Sequence, residues 1–479
     1  MLINGYEVVV GLEVHAELNT KTKIYCNCRN SFGLEVNTQV CPICLGMPGT
    51  LPTLNEKVVE YAIKMGHALN CKINRICKQD RKNYFYPDLP KSYQISQADI
   101  PLCADGYLDV IMDGGEVKRI GVERIHIEED AGKLLHSDKF DGSLVDFNRC
   151  GVPLIEIVSK PDMRGSDEAK AYLETIRSIL KYIDISDCKM QEGSIRCDVN
   201  VSVHKPGEPF GTRCEMKNVN SFSAAVRGID YEANRQIEIL EAGGTVTQET
   251  RRWDDQKGVS VSMRTKEDAQ DYRYFPEPDL LTIVVPEEKV IELKNTLPEL
   301  PNAKIMRYVN DYGIGHYDAE MIVDVIEKSS FFERCIDAGC KSPKLLSNWV
   351  LGEISKFMNE GTAIEDTKLT PEKMSELVGL IADGKISTAA AKTVFDIILR
   401  EDKNIADIIE EKGLAQVSDE SALEAIADEV LKANEKSVAD YLGGKTNALG
   451  YLVGQCMKAS KGKANPGIMK EIILKKISG

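Results

Sequence analysis

Residues Ser194–His204 read SIRCDVNVSVH. Ile195, Cys197, Val199, Val201 and Val203 fall on one side; Arg196, Asp198, Asn200, Ser202 and His204 fall on the other. Strict alternation predicts a half-buried β-strand. One such strand alone fits an antiparallel sheet with a wet face, but a wet face is usually Thr, Lys and Ser. Here the charged pattern recurs: Gly11, Glu13, His15 and Glu17 in GLEVHAEL; Arg124, His126 and Glu128 in ERIHIEEDAG; Asp146 and Asn148 in VDFNRCG; Glu156 in PLIEIV; Arg213, Glu215 and Lys217 in RCEMK. Three of the six histidines lie on these stripes. A sheet lined with carboxylates, imidazoles and guanidinium groups suits a hard cation and phosphates.

Composition bounds the class. The 479 residues can fill two to four domains with large cores. No apolar run reaches membrane-spanning length, and MLINGYEVVVGLEVH lacks the basic start and cleavage site of a signal peptide. The expectation is a cytoplasmic protein with no membrane partner. A net charge of −15 argues against a chain that coats nucleic acid over its whole surface. It leaves room for a local basic site.

Fourteen cysteines in a chain this long are not a disulfide framework. Four of them cluster as Cys26-x-Cys28 and Cys41-Pro-Ile-Cys44. Two close pairs across a short loop suit tetrahedral thiolate coordination of a structural Zn²⁺, each pair taking one edge. The scattered cysteines, from Cys71 to Cys456, read as buried thiols.

Organisation changes near residue 290. Before it lie short strands, Gly-rich turns and prolines, with helices expected over Asn55–Leu69 and Asp167–Lys181, the latter capped by Ser166. After Pro286 the chain reads as helical: EEKVIELKNTLPELP as a linker helix, then Ala319–Lys328, Lys344–Met358 and Pro371–Ala382. A last unit begins near residue 405. From Val430 to Gly479 nine lysines and no arginine stand against three acidic residues, a net +6. Lys445, Lys458, Lys461 and Lys463 are candidate contacts to a phosphate backbone. Gly443-Gly444-Lys445-Thr446 resembles the end of a P-loop, but that loop needs a Gly where Ala439 stands, and no strand precedes it.

Two loops carry aromatic and basic residues together. DRKNYFYPDLPKSYQISQ (Asp80–Gln97) holds Arg81, Lys82, Tyr84 and Lys91; DYRYFPEPDL (Asp271–Leu280) holds Arg273. Their prolines keep both extended. Such loops can stack a base and hold phosphates, while their rings pack on the sheet.

These strings, with IHIEEDAGK, VDFNRCGVPLIEIVSKPD, EGSIRCDVNVSV and QETRRW, resemble the B subunit of the bacterial aspartyl/glutamyl-tRNA amidotransferase along the whole chain. The resemblance implies an α+β fold: an antiparallel-sheet cradle domain related to glutamine synthetase and guanidino kinases over residues 1–294, an all-α helical domain over 295–405, and a small tRNA-binding helical tail over 406–479. It implies ATP- and Mg²⁺-dependent phosphorylation of the side-chain carboxylate of misacylated Glu-tRNA(Gln) or Asp-tRNA(Asn). Ammonia released by a separate amidase, the A subunit, then displaces phosphate; the assembly includes a small C subunit. The cysteine quartet occurs in only some members of the family, so Zn²⁺ rests on the spacing.

The chemistry agrees. Ammonia does not usefully attack a carboxylate, because oxide is a poor leaving group; an acyl phosphate supplies a good one. Making it needs a metal, cations around the transferring group and a positioned nucleophile. Glu13, His15, Lys82, Glu129, Glu156, Arg196 and Asp198 form the candidate catalytic set. Arg81, Lys82, Tyr84, Arg196, Asn200, Lys217 and Arg273 are candidate ATP contacts. The Mg²⁺ ligands come from Glu13, His15, Glu128 and Glu129. Alternation puts Glu128 on the His126 face, whereas the family resemblance points to Glu129; a β-bulge there would reconcile them. His15, a nitrogen beside a hard cation, can instead orient a water. A free-amino-acid ligase of the glutamine synthetase type explains the sheet but not the basic tail. The archaeal-type paralogue of the family, the E subunit, carries a large insertion for which the helical run leaves no room. A non-catalytic tRNA-binding module explains the tail but not the acidic face. The chain shows no amidase or glutaminase nucleophile, which places that activity on another chain.

Overall fold

The Ser194–His204 alternation forms a long central strand. The computed structural model describes residues 2–136, 142–265, 271–416, 420–460 and 464–478. Contacts divide the chain into two compact units, Met1–Ala303 and Lys304–Gly479.

In the first unit, ten strands among the described residues form one sheet. Eight of them build the site or flank it: β1 (Tyr6–Glu17), β2 (Cys103–Ile111), β3 (Val117–Glu129), β4 (Pro153–Ser159), β5 (Ile195–His204), β6 (Cys214–Val219), β7 (Glu249–Asp254) and β8 (Val259–Thr265). Their order is β8-β7-β6-β5-β1-β4-β3-β2. Neighbours run antiparallel except β6 and β7, which are parallel. Val8, Val10, Leu12 and Val14 of β1 and Val199, Val201 and Val203 of β5 are buried on one face. They share a core with Val58, Ala62 and Ile63 of helix α1 (Glu56–Ala68), Leu173 and Ile176 of α2 (Ser166–Tyr182), and Ala225 and Ile229 of α3 (Phe222–Glu241). Each fully buried aliphatic side chain contributes roughly 1.5–3 kcal/mol relative to exposure. A one-residue slip would turn every one of them onto the polar face, so the core pins the register that builds the site.

Local detail departs from expectation in four places. Asn55 caps α1 by accepting from the Lys57 N–H, as its type favours. Ser166, however, lies inside α2; Gly165 is the cap residue, and the Glu168 carboxylate accepts from the Arg164 N–H at 2.6 Å. The segment expected as Ala319–Lys328 is broken at Val325, whose extended backbone separates helices His316–Val323 and Ile326–Asp337. The helix expected over Lys344–Met358 contains a π-turn at Val350–Ile354, and the Ser355 hydroxyl donates to Val350 O at 2.7 Å, five residues back. Finally, Asp146 ends a strand of a separate two-stranded sheet and does not join the polar face. It accepts from the Asn37 and Asn148 N–H groups, and the Asn148 amide accepts from the Gln39 N–H at 2.8 Å; both hold the loop that carries Cys41.

In the second unit, four helices between Glu420 and Ser478 enclose Leu423, Ala427, Leu452, Cys456, Met469 and Ile473. Among the described residues no helix is long and apolar enough to cross a membrane.

Candidate active site

Register assembles the polar face. His126 pairs with Glu156, Glu156 with His15, and His15 with Arg196, so four strands place four functional groups in one row. His15 Nε2 lies 3.4 Å from Glu156 and 3.8 Å from Glu128. His126 Nε2 lies 3.2 Å from Glu156 and 3.5 Å from Glu128, and the Ser96 hydroxyl donates to Glu128 at 3.2 Å. Burial opposes charge on all of them, but mutual pairing wins. Glu156 is held well below the usual carboxylate range by the two imidazoles, and His126 is pushed up to about 9 by Glu156 and Glu128.

The next row holds a second cluster. Glu13 pairs with Asp198 across β1 and β5. Oxygens of Glu13, Asp198 and Glu215 lie within 4.8 Å of one another. A register shift in the β5–β6 pair at Cys197–Val199, with Asn218 in the left-handed region (φ 65°), aims Lys217 at this cluster. Its ammonium lies 2.6 Å from Asp198 and 2.9 Å from Glu215. Asn200 donates to Glu13 at 3.0 Å, and Thr250 donates to Glu215 at 2.8 Å. Burial, then Glu156, Glu215 and Asp198, push Glu13 above the usual carboxylate range. Such crowding of anions is relieved by a cation. Hard oxygen donors from two strand rows fit Mg²⁺ chemistry, and His15 groups with them as a nitrogen donor. Gly11 places no side chain on this face, and a cavity of about 300 Å³ opens there, lined by Glu13, Asn200, Ser202, Phe210 and Arg213 among others.

The two aromatic loops meet. Lys82 lies 5.0 Å from the Tyr272 ring centroid. Burial disfavours its charge, yet Glu128, Tyr274, Tyr272 and Glu156 outweigh that and raise its pKa above the ordinary lysine range. Among the described residues no carboxylate sits within ion-pair distance of Lys82, so its charge is directed at the clusters as a whole. Tyr84 packs edge-on against Tyr272 at 6.0 Å. Arg81 is otherwise committed: Glu277, almost fully buried, accepts from it at 2.6 and 2.8 Å, and its guanidinium stacks 4.2 Å from Tyr93. It clamps one loop to the other, with its Nε and Nη2 spent on Glu277. Arg273 is exposed, with a left-handed backbone (φ 44°) and its carbonyl accepting from Asn83. Arg196 donates to Asp130 at 2.6 Å, and Arg149 lies 3.4 Å from the same carboxylate.

Glu129 stands apart from these groups. Register between β3 and β4 runs without a shift from Glu129 to Arg124, so the bulge that would turn Glu129 to the polar face is not there. Its carboxylate accepts from Lys91 and from the Ile95 N–H. It lines a separate cavity of about 80 Å³ with Tyr25, Cys26, Cys44 and Lys91.

The four sulfurs of Cys26, Cys28, Cys41 and Cys44 lie within 4.8 Å of one another. A Zn–S bond of about 2.3 Å gives tetrahedral edges of about 3.8 Å, so small movements close the set around the ion. A hydrogen bond from Cys26 lowers the Cys44 thiol to about 5, and that same interaction raises Cys26. The other ten cysteines are buried and unpaired, as their scatter suggested.

A family model described as the GatB/GatE catalytic domain matches residues 8–291, and one described as the GatB domain matches residues 330–477. The chain is 55% identical over 475 residues to the B subunit of the aspartyl/glutamyl-tRNA(Asn/Gln) amidotransferase from Caldanaerobacter subterraneus subsp. tengcongensis, covering 99% of each. The chain belongs to the GatB family. Relatives of the same name in Caldicellulosiruptor bescii and Clostridium botulinum (strain Loch Maree) are 54% and 52% identical, each match covering 98% of both chains. Near-complete coverage on both sides leaves no inserted domain in this GatB chain relative to those relatives.

Within this GatB chain, Lys445 pairs with Asp440 at 3.0 Å and is largely exposed; Lys458 is exposed on helix Asn447–Ala459. Lys461 and Lys463 lie outside the described residues. Sequence reasoning omitted His126, Glu215, Asp130 and Arg149 from its candidate sets. The first two stood on the alternating stripes it had recognised; Asp130 and Arg149 gave no signal beyond their neighbours.

Proposed function

We propose that this chain activates the side-chain carboxylate of misacylated Glu-tRNA(Gln), Asp-tRNA(Asn) or both by phosphorylation from ATP, for amidation by ammonia. The observation that carries this reading is the pair of adjoining clusters, His15/Glu128/Glu156 and Glu13/Asp198/Glu215, on one sheet face. A bound Mg²⁺ supplies neutralisation of the transferring γ-phosphate. Glu13, Glu128, Glu156, Asp198 and Glu215 would hold it, with His15 as a further ligand or orienting a water. Lys82 adds a fixed positive charge for the phosphoryl oxygens, and Arg196 stands in the same row, steadied by Asp130. Asn200, Lys217, Tyr84 and Arg273 remain candidate nucleotide contacts, and the cavity beside Glu13 has room for a base. Glu129 belongs to a different environment, so Glu128 takes the ligand role. The carboxylate oxygen attacks phosphorus, ADP leaves, and ammonia then displaces phosphate from the acyl carbon. Label transfer tests the reading. With γ-labelled ATP, Glu-tRNA(Gln) and no ammonia source, labelled phosphate should join the aminoacyl-tRNA; no label in any aminoacyl-tRNA, despite ATP binding, would refute it.

The mostly antiparallel sheet with one acidic face supports the cradle fold related to glutamine synthetase and guanidino kinases. The separate core around Leu452 and Ile473 supports a tail domain after residue 405, with the helical domain between it and the cradle, which ends near residue 294. In this reading the chain works in a heterotrimer with the A subunit, which is the amidase, plus the small C subunit. A tRNA substrate fits a cytoplasmic location. If Lys445, Lys458, Lys461 and Lys463 meet tRNA phosphates, truncation after Val430 should weaken tRNA binding. It should also flatten the salt dependence by roughly one unit of log-log slope for each phosphate no longer neutralised. Unchanged affinity across a salt series would return these lysines to a solvated face.

The cysteine cluster is a structural Zn²⁺ centre in this reading, with no open position for catalysis. Metal analysis of protein purified without chelator should find about one zinc per chain. Cys41→Ser should lower the melting temperature by several degrees, because metal binding is coupled to folding.

A further inference from the structure

Lys23 is 1% exposed. Lysine is almost never fully buried without a counter-charge, because an isolated ammonium in a dry interior is costly. Among the described residues no carboxylate lies within ion-pair distance of it. Its ammonium donates to Gln39 O at 2.7 Å and lies 3.8 Å from Cys44 Sγ. The rest of the residue is anchored to both cysteine pairs: its N–H donates to Cys28 O at 3.0 Å, and its side-chain stem runs beside Gly151, which also adjoins Cys44. Four protonated thiols would leave the ammonium uncompensated, and so would disulfides. Four thiolates around a divalent ion carry two net negative charges, and one adjacent cation halves them.

We propose that Lys23 is the built-in counter-charge of the four-cysteine centre, donating to the Cys44 sulfur and positioning it as a thiolate on zinc. The proposal rests on the zinc reading above. It makes Lys23 a positioning residue: its ammonium touches one ligand sulfur and the loop carrying the second pair. It also accounts for a lysine standing between Thr22 and Ile24, where the buried environment would otherwise favour an aliphatic residue.

Two variants test it in the full-length chain, expressed with zinc supplementation. Lys23→Met keeps the stem and removes the charge; Lys23→Gln keeps a donor and removes the charge. Zinc transfer to excess 4-(2-pyridylazo)resorcinol, followed by absorbance, should be at least about tenfold faster in both, the scale on which outer ligand partners act. The melting temperature should fall more on stripping zinc from the wild type than from either variant, because tighter binding to the native state means greater stabilisation by the ion. Equal release rates and equal falls, with zinc present in all three proteins, would overturn the role of Lys23. Absence of zinc from the wild type would overturn the zinc reading itself and the proposal with it.

Discussion

Glu13→Ala and Glu128→Ala should each abolish ATP-dependent phosphorylation of Glu-tRNA while leaving tRNA affinity within about twofold of wild type. Burial and three other carboxylates push the Glu13 pKa up, and Glu128 lies within reach of both histidines. Loss of one ligand weakens the cation that neutralises the transferring phosphate. An effect of about 4 kcal/mol, or ~10³-fold in rate, is the expected scale. The tRNA contacts proposed for the tail lie more than 300 residues later, so binding should survive. Glu129→Ala provides the contrast. It removes the partner of Lys91 and the Ile95 N–H, so it should cost stability and leave affinity for Mg²⁺ in the presence of ATP nearly unchanged. Steady-state rates with filter-binding measurements of tRNA separate the outcomes. Normal turnover in Glu13→Ala and Glu128→Ala would sink the assignment.

Lys82→Met is the second large effect. Lys82 is held among Tyr272, Tyr274, Glu128 and Glu156, with no carboxylate within ion-pair distance among the described residues. A fixed cation aimed at developing phosphoryl charge contributes about 10²–10³ in kcat. Methionine keeps the apolar stem against Tyr272, so folding should be preserved. The loss should fall mainly on kcat, because the charge matters most once the phosphoryl group is in transit. Arg81→Met should behave differently. It leaves Glu277 buried without its bidentate partner, so the melting temperature should drop as well. A Lys82→Met protein with unchanged kcat would remove Lys82 from the site.

Much of this site was legible from side-chain parity. A strand turns every second residue to the same face, so Glu13, His15, Arg196 and Asp198 could be grouped before any pairing was known. Parity also placed Glu128 with His126, as observed, and the proposed bulge that would favour Glu129 is absent. Pairing between strands was not legible. Glu215 joins Glu13 and Asp198 because β6 lies beside β5, where Glu215 pairs with Asn200. The clamp that Arg81 forms was not legible, because its partner, Glu277, lies 196 residues away. Asp146 and Asn148 shared the alternating pattern, but Asp146 belongs to another sheet and Asn148 lies in the turn that follows it. In each case the missing information was a long-range contact, which local periodicity does not encode. Lys23 gave no signal at all, since a lysine in sequence is read as exposed until its surroundings are known.

The most direct test is anomalous diffraction from crystals of the protein with Mn²⁺ and a non-hydrolysable ATP analogue. The account predicts a manganese peak bounded by the carboxylates of Glu13, Glu128, Glu156, Asp198 and Glu215, with the γ-phosphate on the same sheet face and within reach of Lys82. A peak beside Glu129 and Lys91, or a nucleotide bound away from that face, would contradict it.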